Sequence, residues 1–343
     1  MPALWDLPDF DHHESVHLFD DAKTGLQAII AIHSTHVGPA AGGTRFWHYA
    51  DKSAALTDAL RLSRGMSYKN AMAGLPAGGG KAVILADAAR IKTQDMLDCF
   101  ARAVDSLGGR YITAQDVGMS EADMVSLSNN TKHVAGLPGQ GGDPGPYTAR
   151  GIYLGVKAAA MRALGVQNMS GVHVAVQGVG SVGGGLARYL AADGAKLTIA
   201  DVDIARAAAL AKELGATCVA VGDIMTVEAD VFSPNALGAI LTEASVAALR
   251  VKAVAGGANN QLATGPEGRF LADRGILYAP DYVINAGGII NVLRHIDKAG
   301  DDEINARIDA IPDRLDAIWE QSEATCSTPA EVADQMAKKL IGR

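Results

Sequence analysis

The spacing of apolar and polar positions changes along the chain, and the changes mark out its elements. Val16-His-Leu-Phe19 alternates as a strand does, residues 20–25 read as a turn, and Leu26-Gln-Ala-Ile-Ile-Ala-Ile32 is apolar enough for a buried strand. Over 53–67 the spacing becomes helical: Ser53 is placed to cap, and Ala54, Leu56, Ala59, Leu60, Leu62 and Ser63 form the stripe. Strands follow at 82–85 and 111–114, and helices at 93–107 and 120–127. The Gly- and Pro-rich stretch 136–146 resists regular structure and reads as a linker.

Beyond the linker a helix is expected over 148–163, then strands and helices in turn. The strands lie at 172–177, 196–200, 231–232, 253–255 and 277–278; the helices at 184–193, 204–214 and 242–249. That alternation predicts an α/β fold with a doubly wound parallel sheet. Three loops at strand ends, 233–238, 256–261 and 285–291, are polar or glycine-rich and belong on the ligand side of such a sheet. The tail 301–343 is mostly helical with mixed charge.

Length adds a domain count: 343 residues suit roughly two domains. The expected boundaries are 1–135 and 136–324, with helices from about 325 to 343 packing back on the first. A net charge of −8 without a long basic cluster argues against nucleic acid. No apolar run is long enough to span a bilayer, and the first ten residues lack a secretory signal pattern. Three scattered cysteines, Cys99, Cys218 and Cys326, have neither disulfide-scaffold nor zinc spacing, which suits a reducing cytoplasm. No metal ligand cluster is evident.

The candidate chemistry lies in two places. Lys69 and Lys81 are set in apolar, glycine-rich sequence, where desolvation lowers an ammonium's pKa and a lysine can serve as a base or hold a carboxylate. Gly42 and Gly43 follow a proline and read either as a plain turn or as a backbone cradle for a carboxylate. Asp116, after a strand, reads either as an acid/base group or as the cap of the next helix. In the second half Gly178-Val179-Gly180-Ser181-Val182-Gly183 falls between a strand and a helix, and Asp201 ends the next strand. That context gives the glycines a dinucleotide pyrophosphate and gives Asp201 the adenosine ribose hydroxyls, favouring NAD over NADP. A nicotinamide with lysines and an aspartate suits amino acid oxidation to an imine and its hydrolysis to a 2-oxo acid and ammonia.

Gly38-Pro-Ala-Ala-Gly-Gly-Thr-Arg45, Arg64-Gly-Met-Ser-Tyr-Lys-Asn-Ala71, Gly78-Gly-Gly-Lys81, Asp116-Val-Gly118, Gly178-Val-Gly180 and Ala279-Pro-Asp-Tyr-Val-Ile-Asn-Ala-Gly-Gly288 resemble, in order, motifs of the Glu/Leu/Phe/Val amino-acid dehydrogenases, above all the leucine/valine/phenylalanine branch. The resemblance spans about residues 16–292. It implies a mixed-sheet substrate domain closing over a Rossmann NAD domain, with the active site in the cleft, and a homo-oligomer. It makes Lys69 the holder of the substrate α-carboxylate, Lys81 the catalytic lysine and Asp116 its partner in proton transfer. Gly42, Gly43, Met66 and Asn259 would line the substrate site, and Thr148 and Asn285 would lie near the nicotinamide.

Glutamate relatives carry a lysine where this chain has Ala41 and a small hydroxyl residue where it has Val292, so the resemblance disfavours glutamate. Ile289 restores bulk near the same pocket, and a branched aliphatic substrate is expected, with phenylalanine the alternative. Gln115 and Gly145 depart from an acid and a serine common in the leucine enzymes. A non-catalytic NAD or amino-acid sensor is the rival from another class; Lys69, Lys81 and Asp116 argue against it, because a sensor needs no proton-transfer groups.

Overall fold

A computed structural model describes residues 3–87, 91–140 and 142–343; Gly141 of the expected linker and Met1 and Pro2 of the N-terminal stretch lie outside them. The chain forms two compact units, one of Met1–Gly142, Val292–Gly300 and Ala337–Arg343, the other of Asp143–Asn291 and Asp301–Met336.

The first unit is built on strands β1 (Ser15–Asp21), β2 (Leu26–Ser34), β3 (Ala40–His48), β4 (Gly78–Ala86) and β5 (Tyr111–Gln115), with helices α1 (Lys52–Met72), α2 (Gln94–Asp105) and α3 (Glu121–Ser128). The sheet order is β1-β2-β4-β3-β5. β1 and β4 run antiparallel to β2, whereas β3 runs parallel to β4 and to β5. Both faces are covered. Ile30, Ile84, Phe100, Val104, Tyr111 and Met124 form a core on one face. On the other, Ile29, Ala31, Val83 and Leu85 pack against Ala55, Ala59 and Leu60 of α1.

Three expectations change here. Gly42 and Gly43 read either as a plain turn or as a backbone cradle in a loop, yet both lie inside β3, held between β4 and β5. Its glycines argue for a loop only by local propensity, and pairing on both edges overrides propensity. Helix α1 runs to Met72 rather than ending at 67, so Lys69 lies in its last turn, and Asp51 rather than Ser53 caps it by accepting from Ala54 N–H at 2.8 Å. The triplet Gly78-Gly-Gly80 is strand, which puts Lys81 inside β4. The glycines are required by contact: a Cβ on Gly79 would strike the Ser67 backbone of α1, and one on Gly80 would come 2.7 Å from the Tyr111 ring.

In the second unit α4 (Gly145–Leu164) precedes β6 (His173–Gln177), α5 (Ser181–Ala192), β7 (Lys196–Ala200), α6 (Ile204–Leu214), β8 (Thr217–Cys218), β9 (Val231–Pro234), α7 (Glu243–Ala248), β10 (Ala253–Val254), α8 (Glu267–Asp273) and β11 (Leu277–Tyr278). All pairings are parallel, and the order β8-β7-β6-β9-β10-β11 reverses direction between β6 and β9. This is the doubly wound order of dinucleotide-binding folds, with its switch point at β6 and β9. Among the described residues no helix is long and apolar enough to cross a membrane.

A buried histidine adds a pH dependence to the first unit. His33 is fully buried, with Nδ1 at 2.7 Å from Ser67 Oγ and Nε2 at 2.8 Å from Arg343 Nη1. A guanidinium only donates, so Nε2 accepts from Arg343 and the Nδ1 proton goes to Ser67; the Asp11 carboxylate, 3.3 Å from the same Nε2, favours the protonated ring and opposes the downward shift without reversing it. Burial first, and then the Arg343 charge, push His33 down to about 3. The unfolded chain therefore takes up a proton near pH 6.5 that the folded chain refuses, and stability is lost as pH falls from there toward 3. Urea unfolding at a series of pH values should lose up to ~1.4 kcal/mol per pH unit from this group. His33→Gln should flatten the slope; an unchanged slope would contradict the assignment.

Candidate active site

Successive side chains of a strand alternate faces, so Lys81 shares the face of β4 that carries Val83 against α1. Arg45 of β3 stands opposite Val83, and Thr44 opposite Gln115, which brings Arg45 and Asp116 beside the lysine on that face. Gly43 lies between them. A Cβ there would sit 2.7 Å from Asp116 Cβ and 2.9 Å from the Gln115 carbonyl oxygen. Without a side chain at Gly43, Lys81 reaches across β3, and Nζ donates to Asp116 Oδ2. Ser120, not Asp116, caps α3, by accepting from Asp123 N–H at 3.2 Å, which frees the Asp116 carboxylate for the lysine.

The electrostatics follow from this packing. Lys81 is 5% exposed. Burial lowers its pKa below the ordinary lysine value, and the Asp116 charge offsets that only in part. Burial alone would raise the Asp116 carboxyl, but the Lys81 ammonium and then Arg45 outweigh it and hold it low. The lysine thus loses its proton more readily than usual while the aspartate stays ionised beside it.

Most of the other residues expected at the substrate site of this unit lie on α1, β3 and β4. Asn70 Nδ2 donates to the Gly78 carbonyl at 2.7 Å and to the Ala41 carbonyl at 3.4 Å, tying α1 to both strands next to Lys69. A Cβ on Gly42 would come 3.2 Å from Met66 Cγ, so these two are neighbours. Tyr111 Oη donates to the Gly42 carbonyl at 2.7 Å. Lys69 and Met66 are half-buried, Ala41 fully buried, and Val292 half-buried, 3.5 Å from where a Cβ on Gly136 would stand.

In the second unit the glycine motif sits at the switch point. The third helix-facing glycine, Gly183, lies inside α5, which begins at Ser181 rather than at 184. A Cβ on Gly178 would come 2.8 Å from Ala236 Cβ. Gly180 is the N-cap of α5 without a side-chain cap, and space beside it is open. The first N–H groups of α5, at Ser181 and Val182, thus lack a capping side chain, as an anion site at a helix N-terminus requires. Asp201 accepts from Val179 N–H at 2.7 Å, from Asp203 N–H at 2.9 Å and from Arg206 Nη2 at 2.8 Å. Asn285 donates to Asn259 Oδ1 at 2.9 Å and to the Gly257 carbonyl at 3.1 Å, while its own buried Oδ1 has no partner. A Cβ on Gly287 would come 3.2 Å from Thr148 Cα, which sets this segment beside Thr148. An open helix N-terminus, a carboxylate at the tip of β7 and an orphaned acceptor suited to a carboxamide N–H fit a nicotinamide dinucleotide. Ile289 is half-buried in the same segment. Among the described residues no group of His, Cys, Asp and Glu is arranged to hold a metal ion.

Sequence reasoning did not single out Arg45, Asp58, Asn70 or Asn235. Arg45 Nη1 donates to Asp58 Oδ2 at 2.8 Å and Nε to Asp116 Oδ2 at 3.3 Å. Asn235 Oδ1 accepts from Gly257 N–H at 2.9 Å and joins two of the strand-end loops. The signal for Arg45 was its place two residues after Gly43, which puts both on one strand face once the stretch is known to be a strand.

A Rossmann unit and a mixed-sheet unit that buries a lysine–aspartate pair are the architecture of an amino acid dehydrogenase. The chain belongs to the Glu/Leu/Phe/Val dehydrogenase family. Residues 13–133 match the model described as Glu/Leu/Phe/Val dehydrogenase, dimerisation domain, and residues 199–293 the model described as Glutamate/Leucine/Phenylalanine/Valine dehydrogenase. The chain is 44% identical to the leucine dehydrogenase of Geobacillus stearothermophilus over 96% of its own length and 90% of the relative's. It is 44% identical to the valine dehydrogenase of Streptomyces albus over 96% and 92%. The crystal structure of L-tryptophan dehydrogenase from Nostoc punctiforme superposes with a TM-score of 0.87 at 42% identity, covering 96% of this chain and 95% of that one. The protein is an amino acid dehydrogenase acting on CH–NH2, of a family that uses NAD(P).

Gly43→Ala tests the geometry directly. The new methyl displaces Asp116 from Lys81, and dehydrogenase turnover should fall about tenfold or more. Wild-type turnover in this variant would show that the Gly43 contact does not position the aspartate.

Proposed function

We propose that the protein catalyses NAD-dependent oxidative deamination of a branched-chain aliphatic L-amino acid, such as leucine, valine or isoleucine, to the 2-oxo acid and ammonia. The observation that carries this reading is Lys81, an ammonium buried on β4 and paired with Asp116. Lys69 binds the substrate α-carboxylate, assisted by the backbone at Gly42 and Gly43. Lys81 takes the proton from the attacking water as it adds to the imine carbon and returns it to the departing nitrogen, while the Asp116 carboxylate holds the lysine in place and balances its charge. When bound, the nicotinamide accepts the hydride from Cα. Thr148 and Asn285 would orient its carboxamide, the N–H groups at the start of α5 would hold the pyrophosphate, and Asp201 would accept from a ribose hydroxyl.

Within the first unit, Ala41, Met66 and Val292 set the side-chain pocket. None is charged, so a second carboxylate would be buried without a partner, and glutamate is rejected. The small Ala41 leaves room for an aromatic ring, and the likeness to an L-tryptophan dehydrogenase makes an aromatic substrate the second reading. The description of the first matched model supports a homo-oligomer.

Formation of NADH at alkaline pH over leucine, valine, phenylalanine, tryptophan and glutamate decides among these. Leucine or valine should be fastest; faster phenylalanine or tryptophan would overturn the aliphatic assignment, and no turnover of any would favour a sensor. Comparable rates with NADP would remove the role given to Asp201 and hand a 2′-phosphate to Arg206, which lies beside it. The turnover of Lys81→Ala should drop more than ~100-fold with NAD binding intact. Survival of turnover within about tenfold of wild type would refute the base assignment.

A further inference from the structure

Asp116 Oδ2 serves two cations. Lys81 Nζ donates to it, and Arg45 Nε approaches the same oxygen at 3.3 Å. Arg45 is itself fixed from the far side: its Nη1 donates to Asp58 Oδ2 at 2.8 Å, and Tyr49 Oη donates to that same Asp58 oxygen. Two carboxylates and two cations therefore alternate along the α1 face of the sheet, from Lys81 through Asp116 and Arg45 to Asp58. β4, β3, the residue just after β5 and α1 supply them, and Arg45 and Asp58 are each only about a quarter exposed.

The two cations differ in one respect. A guanidinium keeps its proton at every working pH, while a buried ammonium does not. When Lys81 is neutral, as a base must be, Asp116 would be left as a half-buried charge with no counterion, were Lys81 its only partner. A carboxylate stranded in that way is costly, and the cost would hold the proton on the lysine.

We propose that Arg45 is a positioning residue for the acid/base pair, holding Asp116 as a carboxylate with a permanent positive charge so that Lys81 can give up its proton to solvent and take one back. The proposal rests on the role assigned to Lys81 under the proposed function. Burial is the main cause that lowers Lys81; the Arg45 charge adds to it, and Asp116 and Asp58 oppose it. The groups that face Lys81 are accounted for on each element packed against it. β3 gives Arg45, the end of β5 gives Asp116, and α1 gives Asp58 and, in its last turn, Lys69. β2 places Ala31 opposite Lys81, and His33 farther along that strand stays neutral.

The test compares wild type with Arg45→Met, Arg45→Lys and Asp58→Asn. For each, kcat is followed against pH with leucine and NAD. The reactivity of Lys81 toward trinitrobenzenesulfonate is followed over the same range in the free protein by mass spectrometry. Arg45→Met should move the rising limb of both curves up by about one pH unit, so that kcat on that limb falls about tenfold. Arg45→Lys should restore the wild-type limb, and Asp58→Asn, which removes an opposing negative charge, should move it the other way. A lower kcat with the limb unmoved would mark Arg45 as merely structural and overturn the proposal, as would a Lys81 labelling curve that Arg45→Met leaves in place. The labelling curve needs no turnover: if wild type fails to oxidise any amino acid, the functional reading fails alone and the labelling still decides for or against Arg45. Should Arg45→Met not fold, Asp58→Asn reads the same charge balance with the opposite sign.

Discussion

A lysine ammonium inside a β-sheet is the constraint on which the first unit turns. Taking that charge out of water is expensive, and a structure that does so must supply a partner close at hand. Here the partner, Asp116, comes from the end of a strand two places away in the sheet. The reach is possible because the intervening strand has glycine, not a side chain, at position 43. The same logic explains the triplet before Lys81: α1 and Tyr111 close on β4 from opposite faces, and the glycines let them. Burial that makes the lysine costly also lowers its proton affinity, so packing and reactivity arise from one arrangement.

The second unit solves a different problem by comparable means. A sheet that reverses order between β6 and β9 opens a crevice at its carboxyl edge. Glycines let the turn after β6 pass close to Ala236, and an uncapped α5 presents free N–H groups there. Asp201 is tied by two backbone N–H groups and Arg206, which fixes its position at the tip of β7. Asn285, with one buried oxygen unpartnered, holds an acceptor in readiness. Both units thus place polar groups whose partners are supplied by a ligand or by a second, distant element.

The sequence disclosed most of the second unit because its signals are local. A strand, a glycine turn, a helix and a strand-end carboxylate follow one another within thirty residues, and each is read from neighbours. The first unit was less legible for a physical reason. β3 is rich in glycine and begins after a proline, so local propensity reads a loop, and only its two partners make it a strand. Once that strand is missed, Arg45 has no face to share with Lys81 and Asp116, and the four-charge array cannot be seen. Lys69, Lys81 and Asp116 stood out individually as charges in apolar company or at a strand end. Their geometry depends on register between strands far apart in the chain, which no local pattern encodes. The overlooked length of α1 has the same origin: Met72 and Ala73 are buried against the sheet, so packing extends the helix past the point where its stripe fades.

The central claim is that the protein holds Lys81 below the proton affinity of an ordinary lysine. NMR titration of the protein with isotopically labelled lysine, assigned by comparison with Lys81→Ala, measures it without any substrate. A Lys81 resonance that titrates below 10.5, and below those of the exposed lysines, is the result expected. A Lys81 that titrates at or above them would mean that Asp116 holds the proton on the lysine, and that the pair is a structural ion pair rather than an acid/base centre.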